Sequence, residues 1–244
     1  MKYPILFCGL MLGALLCCSC ANQKAQRQEA AITFPELGSM VKLKGKLLHT
    51  QMQQIGTPQL QAPLKLTVQQ LPFNSASYTT YSTYIKKAGQ VNSIAYDDSL
   101  PYKPKYLRLQ LLDRIGLVQL LNSEANTQVR NYLENDPDYR MVVSLDVTMQ
   151  DALMPQFLEA GNVLLQQNGH GEMFLVLENG KQQQPLDFSQ VQVFNYGTAS
   201  FCWGEDQFNK MKIKAILSFD ERCPQGTHKK AAKAGGDKAY LKFN

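Results

Sequence analysis

The chain has 244 residues, of which 44% are hydrophobic and 18% charged, a balance that suits a folded protein and excludes wholesale disorder. Its formal net charge is +5, and residues 222–244 account for all of it, because Arg222, Lys229, Lys230, Lys233, Lys238 and Lys242 face only Asp237. Residues 1–221 are therefore neutral overall, so the excess reads as a basic tail and not as the basic face of a nucleic-acid-binding fold.

In chain order, the first signal is a leader. Lys2 precedes an apolar run over residues 5–18, followed by Ser19-Cys20-Ala21-Asn22. A positive charge ahead of a short apolar run is the layout of a secretory signal peptide. A membrane-spanning helix needs about 20 apolar residues to cross roughly 30 Å of hydrocarbon. This run is shorter and gives way to a Gln-rich segment with no cluster of Lys or Arg.

Leu16-Cys17-Cys18-Ser19-Cys20 resembles the lipobox of bacterial lipoprotein precursors. The resemblance implies cleavage after Ser19, thioether lipidation of Cys20 and acylation of the new amine. It therefore implies a lipid-anchored protein of the bacterial cell envelope, whose membrane partner is held through the N-terminal lipid. One acyl chain holds a protein only marginally, at about 0.8 kcal/mol per methylene, so a multiply acylated cysteine suits stable residence. Ala21 stands where many enterobacterial lipoproteins of the inner membrane carry Asp. By that family rule the outer membrane is the expected address, with the leaflet open and nucleic acid excluded as a partner.

Loss of residues 1–19 removes Cys8, Cys17 and Cys18, and lipidation occupies Cys20. Cys202 and Cys223 remain, and an even pair in an exported chain reads as a disulfide. The rival reading, a nucleophilic Cys202, has only His49, His170 and His228 to draw on as bases and no motif around it.

Residues 20–32 are polar, lack apolar periodicity and read as a lipidated flexible tether. A single α+β domain is expected over residues 33–221, with residues 33–104 as a β-rich subregion and residues 222–244 as the basic tail. Val41, Leu43 and Leu47 suggest a strand, and Leu64, Leu66 and Val68 alternate with polar residues as a half-buried strand does. Residues 78–94, rich in Tyr, Thr and Ser, predict one or two further strands. Residues 97–104 read as a loop, and Leu107, Leu109 and Leu111 as a strand.

Ala125, Val129, Tyr132 and Leu133 share a helical face, with Asn122 or Ser123 as N-cap and Asp136-Pro137 as the stop. Val143, Leu145 and Val147 predict a strand, and residues 151–160 a short helix with Pro155 in its first turn. The steps Asn168-Gly169 and Asn179-Gly180 then separate apolar runs as hairpin turns do. With residues 191–196 and 211–217 they predict an antiparallel meander. The expected fold is thus α+β, a mainly antiparallel sheet partly covered by one or two helices.

Motifs that carry chemistry are sparse. The sequence shows no nucleophile elbow, P-loop, dinucleotide fingerprint, HExxH or CxxC, and so names no catalytic residue, metal ligand or cofactor. Gly169-His170-Gly171-Glu172 reads as a solvated turn. Tyr78, Tyr81 and Tyr84 form a series that could stack on sugar rings, or pack as half-buried strand residues. Asp98-Ser99-Leu100 resembles the short O-glycosylation acceptor motif of exported proteins in Bacteroidota, which marks Ser99. The leading expectation is a non-enzymatic envelope lipoprotein that binds or assembles with a glycan or another envelope protein. The alternatives are a surface glycan-binding lipoprotein using the tyrosines and an envelope hydrolase with dispersed carboxylates.

Overall fold

The computed structural model describes residues 34–44, 51–92, 94–218 and 221–235. The leader, Cys20, the tether, Leu47, His49 and residues 236–244 lie outside the described residues. No helix among the described residues is long and apolar enough to cross a membrane.

The described chain forms one antiparallel sheet. Its strands are β1 (Met40–Lys44), β2 (Gln51–Gly56), β3 (Leu64–Pro72), β4 (Lys105–Leu111), β5 (Tyr139–Met149), β6 (Asn162–Gln167), β7 (Met173–Asn179), β8 (Gln182–Leu186), β9 (Val191–Glu205) and β10 (Met211–Leu217). Their order is β10-β9-β5-β4-β3-β6-β7-β8, and β1 pairs with both β2 and β5. The helices are α1 (Ser75–Lys87), α2 (Arg114–Asn122), α3 (Thr127–Glu134), α4 (Met154–Glu159) and α5 (Ala231–Ala234). The fold is α+β, as the sequence predicts.

Period-two alternation decides the two faces of the sheet. Leu107 and Leu109 of β4, Leu145 and Val147 of β5, Leu165 of β6 and Leu175 of β7 all point into one buried core. Leu117, Leu120 and Leu121 of α2, Leu133 of α3 and Phe157 of α4 close that core from above. Burying each such side chain contributes about 1.5–3 kcal/mol. The opposite face of β4 begins with Tyr106, which joins Phe73, Phe194, and Tyr81 and Ile85 of α1 in a second, aromatic cluster.

Residues 75–87 are a helix, which overturns the strands expected over residues 78–94. Asn74 caps it, accepting from the Ser77 N–H at 2.8 Å, while the Ser77 hydroxyl accepts from the Asn74 N–H at 2.9 Å. The hydroxyls of Thr79 and Thr80 donate to the carbonyls of Ser75 and Ala76, one turn back. Those bonds accommodate residues whose intrinsic preference is for strands. Lys86 and Lys87 close the helix at the negative end of its dipole.

The helix α2 lies where the sequence predicts no element, and it moves the expected cap. Asn122 ends α2 instead of starting α3, whose N-cap is Asn126 after a 3₁₀ turn at Glu124–Asn126. The Asn122 side-chain amide donates to the Ile213 carbonyl at 2.7 Å and accepts from the Ile213 N–H at 3.1 Å. It pairs with β10 as a neighbouring strand would. Asn126, fully buried, does the same for Gln59, with bonds of 2.8 and 3.0 Å. One half-buried and one buried amide thus satisfy backbone groups that would otherwise be stranded.

The hairpins β6–β7 and β7–β8 follow the Asn-Gly prediction in part. Gly180 takes φ +61° at the second turn, whereas in the first the positive φ falls on Gly171 and not on Gly169. The meander stops after β8, because β9 crosses back to pair with β5. Pro185, which has no N–H to offer, lies on β8 at that edge of the sheet.

The basic stretch is docked, not an appendage, as far as Gly235. Cys223 is disulfide-bonded to Cys202, and His228 exchanges two backbone bonds with Trp203 at 2.8 and 3.0 Å. Ala231 of α5 is buried against the core.

Candidate functional site

The aromatic face of the sheet carries a polar row. Gln69 of β3, Arg108 of β4, Asp146 of β5 and Asn195 of β9 stand directly opposite one another across four adjacent strands. The next row on this face is Thr67, Gln110, Ser144 and Gly197. A Cβ on Gly197 would lie 2.4 Å from the Ser144 hydroxyl oxygen, so a larger residue there would have to turn that serine aside. Tyr106 and the aromatic cluster under α1 form one wall beside these rows.

Asp146 is the centre of the first row. Its carboxylate is 4% exposed and accepts from Arg108 Nε at 2.6 Å, Arg108 Nη2 at 3.0 Å and Asn195 Nδ2 at 2.9 Å. The bond to Asp146 raises the Arg108 pKa above its ordinary value, against the opposing effect of burial. The Arg108 side chain stays 37% exposed, and its Nη1 makes no hydrogen bond among the described residues. A guanidinium held flat by a bidentate carboxylate, with free N–H groups still reaching solvent, can present donors to a ligand in a fixed direction.

Two variants separate the structural worth of this pair from any binding role. Breaking a buried ion pair costs about 3–5 kcal/mol when the orphaned charge stays buried. Arg108→Met leaves the Asp146 carboxylate with Asn195 alone. Because the guanidinium is more than a third exposed, the loss should be nearer 2 kcal/mol. Asp146→Asn should cost less, since Arg108 can turn to water. Urea unfolding of both variants checks this, and equal losses would contradict the burial asymmetry.

The tyrosine series lies beside the rows but is occupied. Tyr81 is 1% exposed and packs on Phe73 and Phe194 at centroid distances near 5.5 Å, so it offers no face to a ligand. Tyr96 stacks on Tyr78 at 4.7 Å, and Phe34 meets Tyr84 edge-on at 4.9 Å. The Tyr78 hydroxyl donates to the Ile94 carbonyl and accepts from Asn92. A sugar ring would have to displace Tyr96 to reach Tyr78.

The loop over residues 94–104 is tied to α1 through that stack. Asp98 accepts from the Tyr96 hydroxyl and from Lys103 Nζ, both at 2.7 Å. Desolvation of the half-buried Tyr96, together with its bond to Asp98, pushes the phenol up to about 12. Lys103 and Tyr96 hold the Asp98 carboxyl below its ordinary value. A carboxyl with a depressed folded pKa contributes stability above its ordinary pKa near 4 and loses it as pH falls through the folded value. Acidification from pH 5 to below pH 3 should therefore release the Tyr78–Tyr96 stack before the core melts, as read by near-ultraviolet circular dichroism. An aromatic signal that changes only with global unfolding would contradict this.

Ser99 is exposed at the tip of the same loop. Its N–H and hydroxyl both donate to Asp97 Oδ1, at 2.9 and 2.7 Å. His170 and Glu172 lie exposed in the β6–β7 turn, where the Asn168 side chain accepts from both backbone N–H groups. No three His, Cys, Asp or Glu side chains gather into a metal-binding group among the described residues. A hollow of about 460 Å³ lies between α4 and the β7–β8 hairpin, lined by Gln156, Glu159, Gln182 and Gln184.

Sequence reasoning missed the polar rows, although part of the signal was present. Arg108, Gln110, Ser144 and Asp146 are the polar partners in the alternations that identified β4 and β5. What the sequence lacked was the strand order that sets them side by side. The chain matches no family model, no curated protein and no solved structure.

Proposed function

We propose that this chain is a lipid-anchored protein of the bacterial cell envelope whose folded domain binds or assembles with an envelope component instead of catalysing a reaction. The observation that carries the binding role is the polar row at the sheet centre. Four strands supply it, the sheet's other face is a closed apolar core, and Arg108 keeps unsatisfied donors reaching solvent.

Supporting the compartment is the disulfide between Cys202 and Cys223, a bond that persists in oxidising locations such as the periplasm or the cell surface. The lipobox resemblance supplies the anchor at Cys20, and Ala21 favours the outer membrane. On this reading the described domain starts about a dozen residues from the lipid, and a tether of that length reaches tens of ångströms at full extension.

Photo-crosslinking in intact cells tests the binding role. A photoreactive residue at Gln110, on the polar face, should give a discrete cross-linked species. The same residue at Gln183, exposed on β8, should not. Equal cross-linking from both positions, or none from Gln110, would remove the polar face as the binding surface.

A further inference from the structure

The structure gathers lysines from two distant stretches of sequence at one end of the sheet. Lys210, Lys212 and Lys214 lie on the β9–β10 turn and β10. Lys229, Lys230 and Lys233 belong to the segment docked on Trp203. Contact between the two stretches is close: a Cβ on Gly204 would lie 3.0 Å from the Lys214 side chain and 3.5 Å from Thr227, and one on Gly235 would lie 3.8 Å from Met211. Residues 203–214 and 227–235 together hold these six lysines against Glu205 and Asp206, a net +4. The expectation that the excess charge belongs to a tail and not to a face of the fold is therefore corrected.

Two further facts mark this patch. None of the six lysines makes an ion pair with a carboxylate among the described residues, and all but Lys212 are exposed. At the tip of the turn stands Phe208, 69% exposed, held there by a rigid hairpin. Asp206 accepts from the N–H groups of Phe208 and Lys210 at 2.8 and 2.9 Å, and Asn209 adopts φ +58°. The turn thus presents an exposed aromatic ring beside Lys210, at the end of the strand that carries Lys212 and Lys214.

We infer that this end of the domain docks on a membrane surface rich in anionic phospholipid, with Phe208 entering the headgroup–acyl boundary and the lysines meeting headgroup phosphates. Lysine suits this role as a compact, hydrated point charge that needs no directional partner. Each such residue near an anionic surface contributes enough to change affinity several-fold. The ring sets this partner apart from a soluble polyanion, which would use the charge but leave Phe208 in water. The patch exists whether or not Cys20 is lipidated, so the inference stands apart from the anchor.

The test uses the chain from Ala21, which keeps every described residue and lacks the apolar leader. Its sedimentation with vesicles of phosphatidylcholine alone is compared with that on vesicles containing one third phosphatidylglycerol. Binding should be confined to the anionic vesicles and weaken as salt rises from 50 to 500 mM. The triple variant Lys210→Gln, Lys212→Gln, Lys214→Gln should bind ten-fold or more weakly. So should Lys229→Gln, Lys230→Gln, Lys233→Gln, with melting temperatures little changed because all of these side chains but Lys212 are exposed.

The charge-matched control Lys65→Gln, Lys87→Gln, Lys181→Gln should bind as the wild type does. In Phe208→Trp, tryptophan emission should shift to the blue on anionic vesicles. Equal binding to neutral vesicles, an equal loss in the control, or binding without an emission shift would each overturn the inference. The last result would assign the patch to soluble polyanions.

Discussion

Trp203→Ala should destabilise the domain by about 4 kcal/mol, within the range for deleting a large buried aromatic side chain. Trp203 is 1% exposed and the largest of the fully buried side chains. Its surroundings cannot easily collapse onto the space it leaves. On one side β10 is in register with it at Ile213, itself clamped by the Asn122 amide. On the other side its own backbone is bonded to His228. The melting temperature should fall by roughly 10 °C for a domain of this size. Urea unfolding gives the free energy, and a loss below about 1 kcal/mol would mean that Trp203 does not organise this end of the core. Phe208→Ala, five residues away and exposed, should leave stability within about 0.5 kcal/mol of wild type.

The double variant Cys202→Ala, Cys223→Ala should cost about 3 kcal/mol, the loop-closure value for cysteines 21 residues apart. The closed loop contains β10, and the bridge fixes the chain just before His228 pairs with Trp203. Reduction of the wild type should reproduce the loss of the double variant. Combined with Trp203→Ala, the change should add less than the sum, because Trp203 and Cys202 are adjacent and serve the same contact. Hydrogen exchange should show protection lost first over residues 223–235, with β3 and β4 unaffected. Exchange lost evenly across the sheet would contradict a local role for the bridge. Recovery of both cysteines as free thiols from envelope-purified protein would remove its basis.

The strands were legible where one face is buried and the other is not. Leu107, Leu109 and Leu111 alternate with polar residues because β4 has an apolar core on one side. The same rule found β3 and β5, and the Asn-Gly steps between apolar runs marked β6 and β7. It failed at residues 75–87, where the strand preference of Tyr and Thr outweighed the Asn74–Ser77 capping box and the helical spacing of Tyr78, Tyr81 and Ile85. It was silent on α2, where residues 115–121 are apolar almost throughout and carry no clear period.

The site was less legible, for a topological reason. Nothing local in the sequence places Asp146 between Arg108 and Asn195, because β9 leaves the hairpin order after β8 to pair with β5. The lysine patch was hidden the same way: half of it sits on the β9–β10 turn and β10 and half in a stretch that composition alone marks as a tail. Asn122 shows the point on a single side chain. Read as a helix cap from its neighbours, it serves as a strand partner for a residue 91 positions away.

The claim that this domain works at the envelope through a lipid on Cys20 is tested most directly by fatty-acid labelling. Cells producing the wild type or Cys20→Ala are grown with labelled palmitate, and the protein is recovered from the membrane fraction. Label should enter the wild type alone, and the mutant should accumulate as an unprocessed or misrouted form. Equal labelling of the two proteins would contradict the anchor at Cys20, and absence of label from both would contradict a lipid anchor altogether.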